Sequence, residues 1–296
     1  MDVSVIIVNY NTPELTIACI KSVFNKTKDL LYEIILIDND SSDNSFELFK
    51  TEFDSVNLMS LNKNVGFGRA NNKAAEKACG KYLFFLNSDT ILLNNSLLMF
   101  FKFMEANNLK GNIGALGTIL LDNKENPTHS SGTFPVMWQF LERKLKLNKK
   151  KVERLSFNKE DNFEVDYITG AALFMSRSVF EVYNGFDSDF FMYYEESELQ
   201  KRLENDNLLR LVIQGPRIIH LEGMSTVHKT LSNSKVIMKL NGMFLYHKKH
   251  NSLLMYLIYR ILYFIFRFPI IFRNNSNFTE KKSFFKILLF NPVINK

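Results

Sequence analysis

The amino-acid sequence predicts an α/β fold, in which helices flank a mostly parallel, Rossmann-like sheet. Short apolar runs rich in Val, Ile, Leu and Phe alternate with helical patterns through about the first ninety residues, and polar turns separate them. Strands and helices that alternate at this spacing are typical of a parallel sheet. With 296 residues and 46% hydrophobic content, the chain can also bury a sizeable core.

The first two strand–helix units show this pattern most clearly. Residues 3–8 form a continuous β-branched run, as expected for a strand covered on both faces. A turn follows, with Thr12 as a candidate N-cap and Pro13 at the first position of a helix. Residues 33–37 repeat the strand pattern, and one of residues 41–43 is placed to cap the next helix.

The third and fourth units continue the alternation. A strand over residues 56–61, a glycine-containing loop and a helix through Cys79 make the third unit. Gly80 is expected to end that helix, because glycine is the preferred residue just past a helix C-terminus. The fourth strand is predicted over residues 82–86.

Beyond the fourth strand the pattern is less regular. We predict a helix to about residue 108 and strands over residues 113–121, 168–175 and 217–219. Gly170 lies inside the second of these strands, which suggests that another part of the chain packs closely there. Residues 143–154 are strongly basic and are read as a solvated helix or loop.

Three polar clusters follow predicted strands, and each could contribute to one site. They are Asn9-Tyr10-Asn11, residues 38–43 and Asn87-Ser88-Asp89. Ligands of open α/β sheets bind at the carboxyl ends of the strands. We therefore expect the three clusters to converge on one edge of the sheet.

Charge divides the chain into two regions with different expected roles. From residue 227 onward, twelve Lys and Arg residues face one acid, Glu280, so this region carries +11; the rest carries 25 basic and 30 acidic residues. We predict a main domain over residues 1–226 and a basic, aromatic-rich helical tail over residues 227–296. A basic tail favours contact with an anionic membrane face. Nucleic acid is not expected as a partner, since no recognised nucleic-acid-binding motif accompanies the tail.

The tail contains one long apolar segment whose relation to a membrane has several readings. Residues 253–272 could span a bilayer by length, but Arg260 and Arg267 interrupt the segment and Pro269 is expected to break the helix. With Tyr256 and Tyr263 between Lys249 and the arginines, one stripe of this segment is polar and the rest is apolar. We favour a helix lying in the membrane interface over a spanning helix or packing within a soluble protein.

The cysteines and the N-terminus point to a cytosolic protein. Cys19 and Cys79 both lie in helical-looking patterns and are predicted to be reduced and buried. The N-terminal apolar run lacks a basic leader and is short, so no signal peptide is expected.

Several of the polar residues have both structural and functional interpretations. The residues from Asn64 to Asn71 resemble a dinucleotide-binding fingerprint, but Asn71 replaces its third glycine and the motif lies in the third unit. Asp89 offers one carboxylate to a divalent metal, and His220 is the candidate for a second ligand, although a lone His near an apolar strand is more often structural.

An acidic cluster late in the chain is the candidate source of a catalytic base. Glu195, Glu196 and Glu198 fit the first turn of a helix, where the helix dipole stabilises acids. An ionised carboxylate is also what a general base requires, so the two interpretations are compatible.

Six motifs, in order, resemble the family 2 glycosyltransferases and, within them, bacterial rhamnosyltransferase-like enzymes. The matching stretches are VSVIIVNYN, EIILIDNDSSDNS, NVGFGRANN, YLFFLNSDT, ITGAALFMSRSVFEVYNGFDSDFFMYYEESEL and IIHLEG. The resemblance covers most of residues 3 to 225. It implies a GT-A fold, an inverting transfer by direct displacement, and a nucleotide-diphospho-sugar donor, with dTDP-L-rhamnose as the leading donor.

The resemblance also implies roles for individual residues. Asp89 stands where the metal-binding acid of the DXD motif belongs, His220 matches the later histidine beside the metal, and the metal would be Mn²⁺ or Mg²⁺. Glu196 occupies the position of the catalytic base, although the family usually has Asp there, so Glu195 stays an alternative. The residues expected to bind the nucleotide sugar are Asn9, Tyr10, Asn11, Asp38, Asn39, Asp40, Gly66, Phe67, Arg69, Ala70, Asn71, Asn87, Ser88 and Gly170.

The expected activity is one step of cell-surface polysaccharide assembly, of the O-antigen or capsule type. The acceptor would be a lipid-linked glycan, which agrees with a tail that attaches a cytoplasmic enzyme peripherally to the inner face of the membrane. An alternative is a protein that kept the fold, lost catalysis and binds carbohydrate or membranes. It is suggested by the reduced acidic motif at Asn87-Ser88-Asp89 and by Glu196, where the family usually has Asp. The sequence gives no expectation for the oligomeric state.

Overall fold

A computed structural model describes residues 1–107, 111–136, 161–221, 233–273 and 282. The chain divides into two compact units. The first contains residues 1–133, 157–188 and 196–227, and the second contains residues 134–156, 189–195 and 228–296. The predicted basic segment over residues 143–154 lies outside the described residues.

The order of elements follows the predicted alternation through the fourth strand. The strands are β1 (Val3–Asn9), β2 (Tyr32–Asp38), β3 (Asn57–Ser60), β4 (Tyr82–Asn87), β5 (Thr90–Leu92), β6 (Ile113–Gly117), β7 (Leu120–Leu121), β8 (Ser131–Gly132), β9 (Phe163–Glu164), β10 (Tyr167–Ile168), β11 (Ala172–Ser176), β12 (Leu209–Val212) and β13 (Ile218–His220). The helices are α1 (Pro13–Lys26), α2 (Ser45–Glu52), α3 (Phe67–Ala75), α4 (Ser96–Asn107), α5 (Arg177–Val182), α6 (Glu195–Asn205), α7 (Asn233–His250) and α8 (Leu253–Arg273).

An eight-stranded sheet forms the centre of the first unit, in the order β3-β2-β1-β4-β11-β6-β12-β9. Strands β1 to β4 pair in parallel, and β6 pairs in parallel with β12. Strand β11 runs antiparallel to both of its neighbours, and β9 is antiparallel to β12. The prediction of a mostly parallel sheet flanked by helices is confirmed.

Side chains alternate between the two faces of this sheet, so two hydrophobic layers form. Phe84 and Phe174 belong to the layer under α1 and α4, whereas Phe85 and Leu173 belong to the layer under α3 and α6. Because strand side chains point to opposite faces in turn, a continuous apolar strand buries both faces at once. The predicted core of the main domain is therefore a helix–sheet–helix sandwich.

Two predicted strands are each divided in the structure. Residues 113–121 form β6 and β7 in different sheets. Between them, the Thr118 hydroxyl donates to the carbonyl of Pro216 at 2.7 Å. Residues 168–175 are divided by a turn that includes Gly170, leaving β10 before it and β11 after it. The second division places Gly170 at a strand end, outside the regular ladder.

The predictions about the helix caps and about Cys79 were partly wrong. The third helix ends at Ala75, and Gly80 lies so close to β1 that an added Cβ would be 2.4 Å from the Ser4 nitrogen. Cys79 is exposed, whereas Cys19 is buried as predicted. Burial is the main cause that raises the pKa of the Cys19 thiol to about 12, which keeps the thiol neutral.

Neither of the two predicted N-caps forms a capping hydrogen bond through a side chain. Thr12 precedes α1 as predicted, but its hydroxyl donates to Asn9 Oδ1 at 3.1 Å. At the start of α2, Asn44 holds the cap position without a side-chain bond. Asp43 Oδ1 instead accepts from the Ser45 amide at 3.0 Å.

In the second unit, α7 and α8 pack against each other through aromatic residues. Phe244 of α7 is fully buried and meets Tyr259 and Tyr263 of α8 edge-on, with ring centroids 6.0 and 5.3 Å apart. Of the predicted polar stripe, Tyr256, Arg260 and Tyr263 are buried in this contact. Between residues 253 and 266, the exposed positions of α8 are apolar.

Helix α8 continues through Pro269 to Arg273, so the prediction that this proline breaks the helix was wrong. A proline removes one backbone hydrogen bond and usually kinks a helix, but it does not always end one. Within the described part of the chain, no helix combines the length and the hydropathy needed to cross a membrane.

Candidate active site

The carboxyl ends of β1 and β2 are joined by a network of buried polar side chains. Asn9 Nδ2 donates to Asp38 Oδ1 at 2.8 Å and to Ser41 Oγ at 3.0 Å. The Ser41 hydroxyl donates to Asp38 Oδ1 at 2.6 Å. Asn9 and Asp38 are 0% and 3% exposed. Buried polar groups are normally hydrogen-bonded, and these bonds meet that requirement. These two predicted nucleotide-binding residues fix the shape of the edge.

Asn39 connects this network to the glycine loop before α3. Its side-chain amide donates to Asn64 Oδ1, and its Oδ1 accepts from the Val65 amide, both at 3.0 Å. The next residue, Gly66, has a φ of 87°, a conformation that glycine adopts without a steric penalty. The predicted residue Asn39 therefore sets the path of the loop that leads into α3.

Three predicted residues at the same edge are exposed. Tyr10 is 48% exposed, and Asn11 and Asp40 are exposed with φ values of 55° and 65°. Asn11 Oδ1 accepts from the Ser42 amide at 2.8 Å, which joins the turns after β1 and β2. Asn and Asp tolerate the left-handed region better than most residues, so these turns carry little strain.

The predicted residues of α3 divide between the surface and the core. Phe67 and Arg69 are half-buried, and Arg69 Nε donates to the Ser188 carbonyl at 2.5 Å. Ala70 is 0% exposed, and Asn71 is 1% exposed and donates to the Phe67 carbonyl one turn back. Ala70 and Asn71 thus serve the packing and the first turn of the helix.

Asp89 and His220, the two predicted metal ligands, lie side by side. Strand β5 starts directly after Asp89 and pairs antiparallel with β13, so that Thr90 stands opposite His220. His220 Nε2 is 3.2 Å from Asp89 Oδ1 and 3.5 Å from Asn87 Nδ2. The backbone of Asp89 also accepts from the amide of Leu221 at 2.9 Å. The sheet register therefore determines this pairing.

Asp89 and His220 fit a divalent metal as two of its ligands. A carboxylate suits Mg²⁺ or Mn²⁺, and an imidazole is a common ligand of transition metals. Among the described residues, no group of three or more His, Cys, Asp and Glu side chains is placed to hold a metal ion. The other positions of such an ion would have to be filled by phosphate oxygens and water.

The three glutamates of the acidic cluster lie in different surroundings. The guanidinium of Arg202 binds Glu198 in a fork, with Nε 3.0 Å from both carboxylate oxygens and Nη2 2.8 Å from one. Arg202 also donates to the carbonyl of Gly185 at 2.7 Å, so the Glu198–Arg202 pair joins α6 to the turn after α5. Glu195 is 4% exposed, whereas Glu196 is only half-buried. Glu198 is thus structural.

Gly170 connects Glu196 to the strand that leads to Asp89. A Cβ placed on Gly170 would be 3.9 Å from Glu196 Cβ and 3.2 Å from the ring of Phe67. The next residue, Ala171, accepts a hydrogen bond of 3.0 Å from the amide of Asn87. Glu196, Gly170, Asn87 and Asp89 therefore gather at the same end of β4 and β11, within the first unit.

Family membership follows from comparison with known proteins. The model of the family named Glycosyl transferase family 2 matches residues 4–183, more than half of the chain. The chain belongs to this family. The matched region contains Asp89 and Gly170, but not Glu196 or His220.

Two curated glycosyltransferases are among the similar sequences. Rhamnosyltransferase WbbL of Escherichia coli K12 is 30% identical over 174 residues, which cover 55% of this chain and 60% of WbbL. The UDP-Glc:alpha-D-GlcNAc-diphosphoundecaprenol beta-1,3-glucosyltransferase WfgD of Escherichia coli is 33% identical over 108 residues, covering 36% of this chain and 42% of WfgD. Both matches span less than two thirds of the relative's own length.

A solved structure with a similar fold is the mannosyltransferase PcManGT from Pyrobaculum calidifontis, in complex with GDP-Man and Mn²⁺. Its TM-score to this glycosyltransferase is 0.57 at 12% identity, and the superposition covers 97% of this chain and 70% of PcManGT. Similarity at this identity shows the fold alone. It agrees with the predicted GT-A fold, which is confirmed.

Sequence reasoning missed three polar residues that hold the site together. They are Asn72, which both donates to and accepts from the backbone of Phe186, Gln200, which is 0% exposed, and Arg202. One available signal was that each is a polar residue with an apolar residue three positions away in the same helix. Such a position predicts a buried hydrogen bond without naming its partner.

Proposed function

We propose that this glycosyltransferase inverts the anomeric centre as it moves one sugar from a nucleotide diphosphate to a hydroxyl group. The observation that carries the proposal is that Asp89 and Glu196 both lie near the carboxyl end of β4 and the start of β11. In this proposal, Asp89 acts beside the leaving phosphates and Glu196 acts beside the acceptor.

Glu196 is the proposed general base. Glu196 is half-buried, with its Oε2 atom shielded from solvent, whereas Glu198 is held by Arg202 and Glu195 is 4% exposed. In the transfer, Glu196 accepts the proton of the acceptor hydroxyl while that oxygen bonds to the anomeric carbon. The bond from this carbon to the phosphate oxygen breaks, and the nucleoside diphosphate leaves with the electron pair.

Asp89 and His220 are the proposed protein ligands of Mn²⁺ or Mg²⁺, next to the diphosphate. A metal bound there would stabilise the negative charge that develops on the departing diphosphate. Asn87 Nδ2 lies 3.5 Å from His220 Nε2, beside this pair. Asn9, Asp38 and Asn39 shape the edge that would receive the base and ribose, and the exposed Tyr10, Asn11 and Asp40 would contact them.

The donor and acceptor are proposed from the relatives. The similarity to rhamnosyltransferase WbbL supports a rhamnose donor, with dTDP-L-rhamnose as the first to test. The name of WfgD specifies an acceptor on diphosphoundecaprenol, which supports a lipid-linked glycan acceptor here. The role would then be one transfer in the assembly of a cell-surface polysaccharide of the O-antigen or capsule type.

Two features of the tail support attachment of the enzyme to the cytoplasmic face of a membrane. On α8 the apolar residues Leu254, Leu257, Ile261 and Ile265 are between 46% and 68% exposed, at positions spaced three or four residues apart. Residues from 227 onward carry +11. Apolar residues along one face of a helix and a positive charge are the two features that bind an anionic lipid surface. We therefore propose peripheral attachment through this face.

The test measures release of the nucleoside diphosphate with a panel of nucleotide sugars and a lipid-linked acceptor, with Mn²⁺ and with a chelator. Transfer with at least one donor is expected, and Glu196→Gln should lower its rate by about two to four orders of magnitude. Glu181→Gln, on the exposed surface of α5, is the matched control and should leave the rate unchanged. If nucleotide binds but no donor gives transfer, the protein is instead a binding protein with a glycosyltransferase fold.

A further inference from the structure

Gln200 is a buried polar residue on α6 that the transfer mechanism does not use. It is 0% exposed and lies four residues, about one helical turn, after the proposed base Glu196. A buried side-chain amide is costly unless its donors and acceptor are satisfied. The hydrogen bonds of the Gln200 amide offset the cost of burying it.

The Gln200 amide holds both backbone polar groups of Ile168. Its Oε1 accepts from the Ile168 amide at 2.8 Å, and its Nε2 donates to the Ile168 carbonyl at 2.7 Å. This is the bonding pattern of one residue in a strand ladder, supplied by a side chain at the end of β10. Nε2 also lies 3.0 Å from the carbonyl oxygen of Glu196. One planar group therefore connects the backbone of the base to the backbone of Ile168.

Ile168 is two residues before Gly170, the residue that Glu196 packs against. A Cβ on Gly170 would be 3.9 Å from Glu196 Cβ, so the two segments are in van der Waals contact. The length of the Gln200 side chain sets the distance between α6 and the segment from Ile168 to Gly170. A displacement of about 1 Å at a reacting group can lower a rate by about a hundredfold.

We propose that Gln200 is a positioning residue, which sets the place of the Glu196 carboxylate by fastening α6 to the backbone of Ile168. This inference rests on the proposed function of Glu196 as the base. It assigns to Gln200 no contact with either substrate.

The test replaces Gln200 by Met, which has a similar length and no amide. With the donor found active in the panel, kcat should fall about ten- to a hundredfold, while KM for the donor and the binding of its nucleoside diphosphate change less than about threefold. Gln214→Met is the matched control, because its Nε2 has no hydrogen-bond partner among the described residues. Its kcat should equal that of the wild type.

A double-mutant cycle separates positioning from general stability. If Gln200 acts through Glu196, adding Gln200→Met to Glu196→Gln should lower the residual rate by less than about twofold. If the two losses multiply in full, or if Gln200→Met alone keeps full kcat, the proposal is wrong although the transfer activity stands. A wild-type protein that transfers no sugar would overturn the proposed function itself.

A second variant covers the case in which Gln200→Met does not fold. Gln200→Glu keeps the acceptor for the Ile168 amide, but a carboxyl group has at most one donor and cannot donate to both the Ile168 and the Glu196 carbonyl oxygens. It should also lower kcat at least tenfold with little change in nucleotide binding. Full kcat in a folded Gln200→Glu protein would contradict the proposal.

Discussion

The strand ends of the first unit and the helix pair of the second unit use polar side chains in opposite ways. At the strand ends, Asn9, Asp38 and Ser41 bind one another, and the apolar residues are buried under them in the sheet. In the helix pair, Arg260 and His247 are buried among aromatic rings, and the apolar residues Leu254 and Ile261 are exposed. The strand ends suit the binding of a polar ligand from water, whereas the exposed apolar surface of the helix pair suits contact with an apolar environment.

The largest expected effect belongs to the polar region and concerns Asp89. Asp89→Asn keeps the size of the side chain and removes its charge, so the rate of transfer should fall by about two to four orders of magnitude. Asp29→Asn, at the exposed turn before β2, is the matched control and should keep the wild-type rate. Single-turnover kinetics with saturating donor measure both. Activity within about threefold of wild type in Asp89→Asn would exclude Asp89 from the site.

Next in size is the loss of a buried aromatic ring in each unit. Phe174 is 0% exposed and stacks with Tyr82 and Phe100 at centroid distances of 5.3 and 5.4 Å. Phe174→Ala should lower the free energy of unfolding of the sheet by about 3–5 kcal/mol. Phe244→Ala, the matched variant in the helix pair, should raise amide hydrogen exchange mainly over residues 233–266.

The exchange pattern is the informative part of that pair of variants. If the two compact units open separately, each substitution affects its own unit. If Phe244→Ala lowers protection from exchange equally in both units, the two units unfold together. The two regions would then differ in their use of polar side chains but not in their stability.

A third prediction concerns the pH dependence of the helix pair. Burial, followed by the charge of His250, lowers the pKa of His247 to about 4 from its ordinary value of 6.5. As pH falls from 6.5 toward 4, the unfolded state binds a proton that the folded state does not, so stability is lost over this window. The loss contributed by His247 reaches about 3 kcal/mol.

Thermal unfolding at pH 7.5 and pH 4.5 tests this contribution. His247→Gln should show a smaller drop in Tm between the two pH values than the wild type. His129→Gln, at an exposed position of the first unit, should show the same drop as the wild type. An unchanged drop in His247→Gln would mean that the pKa of His247 is the same in the folded and the unfolded protein.

The sequence predicts the strand ends far better than the helix pair. A continuous β-branched run such as Val3 to Val8 permits one burial pattern, and the residues after parallel strands must meet at one edge. The resemblance to a known family predicted that His220 and Asp89 share a site. The register of β5 with β13 gives the physical reason that the two residues are neighbours. For Gln200, by contrast, the partner is a backbone group about thirty residues earlier, which no local pattern specifies.

The tail shows why amphipathic patterns leave the direction of burial open. The spacing of Tyr256, Arg260 and Tyr263 defines a stripe, but it does not say whether that stripe faces water or another helix. The structure buries it, because Arg260 donates to the Tyr256 hydroxyl at 3.0 Å and lies over the ring of Phe244. Long side chains such as Arg can be buried along aromatic surfaces when their donors are satisfied.

The smallest expected effect tests the apolar surface of α8. Ile261 is 60% exposed, so Ile261→Ser should change the free energy of unfolding by no more than about 0.5 kcal/mol. If this face enters a lipid surface, the same change should weaken binding to vesicles containing anionic lipid about tenfold, since burying an Ile side chain contributes about 1.5–3 kcal/mol. Leu48→Ser, on α2 of the first unit and 40% exposed, should leave vesicle binding unchanged. Equal effects of the two variants would mean that exposed apolar residues of both regions are ordinary surface residues, and the basic charge alone would then account for any attachment.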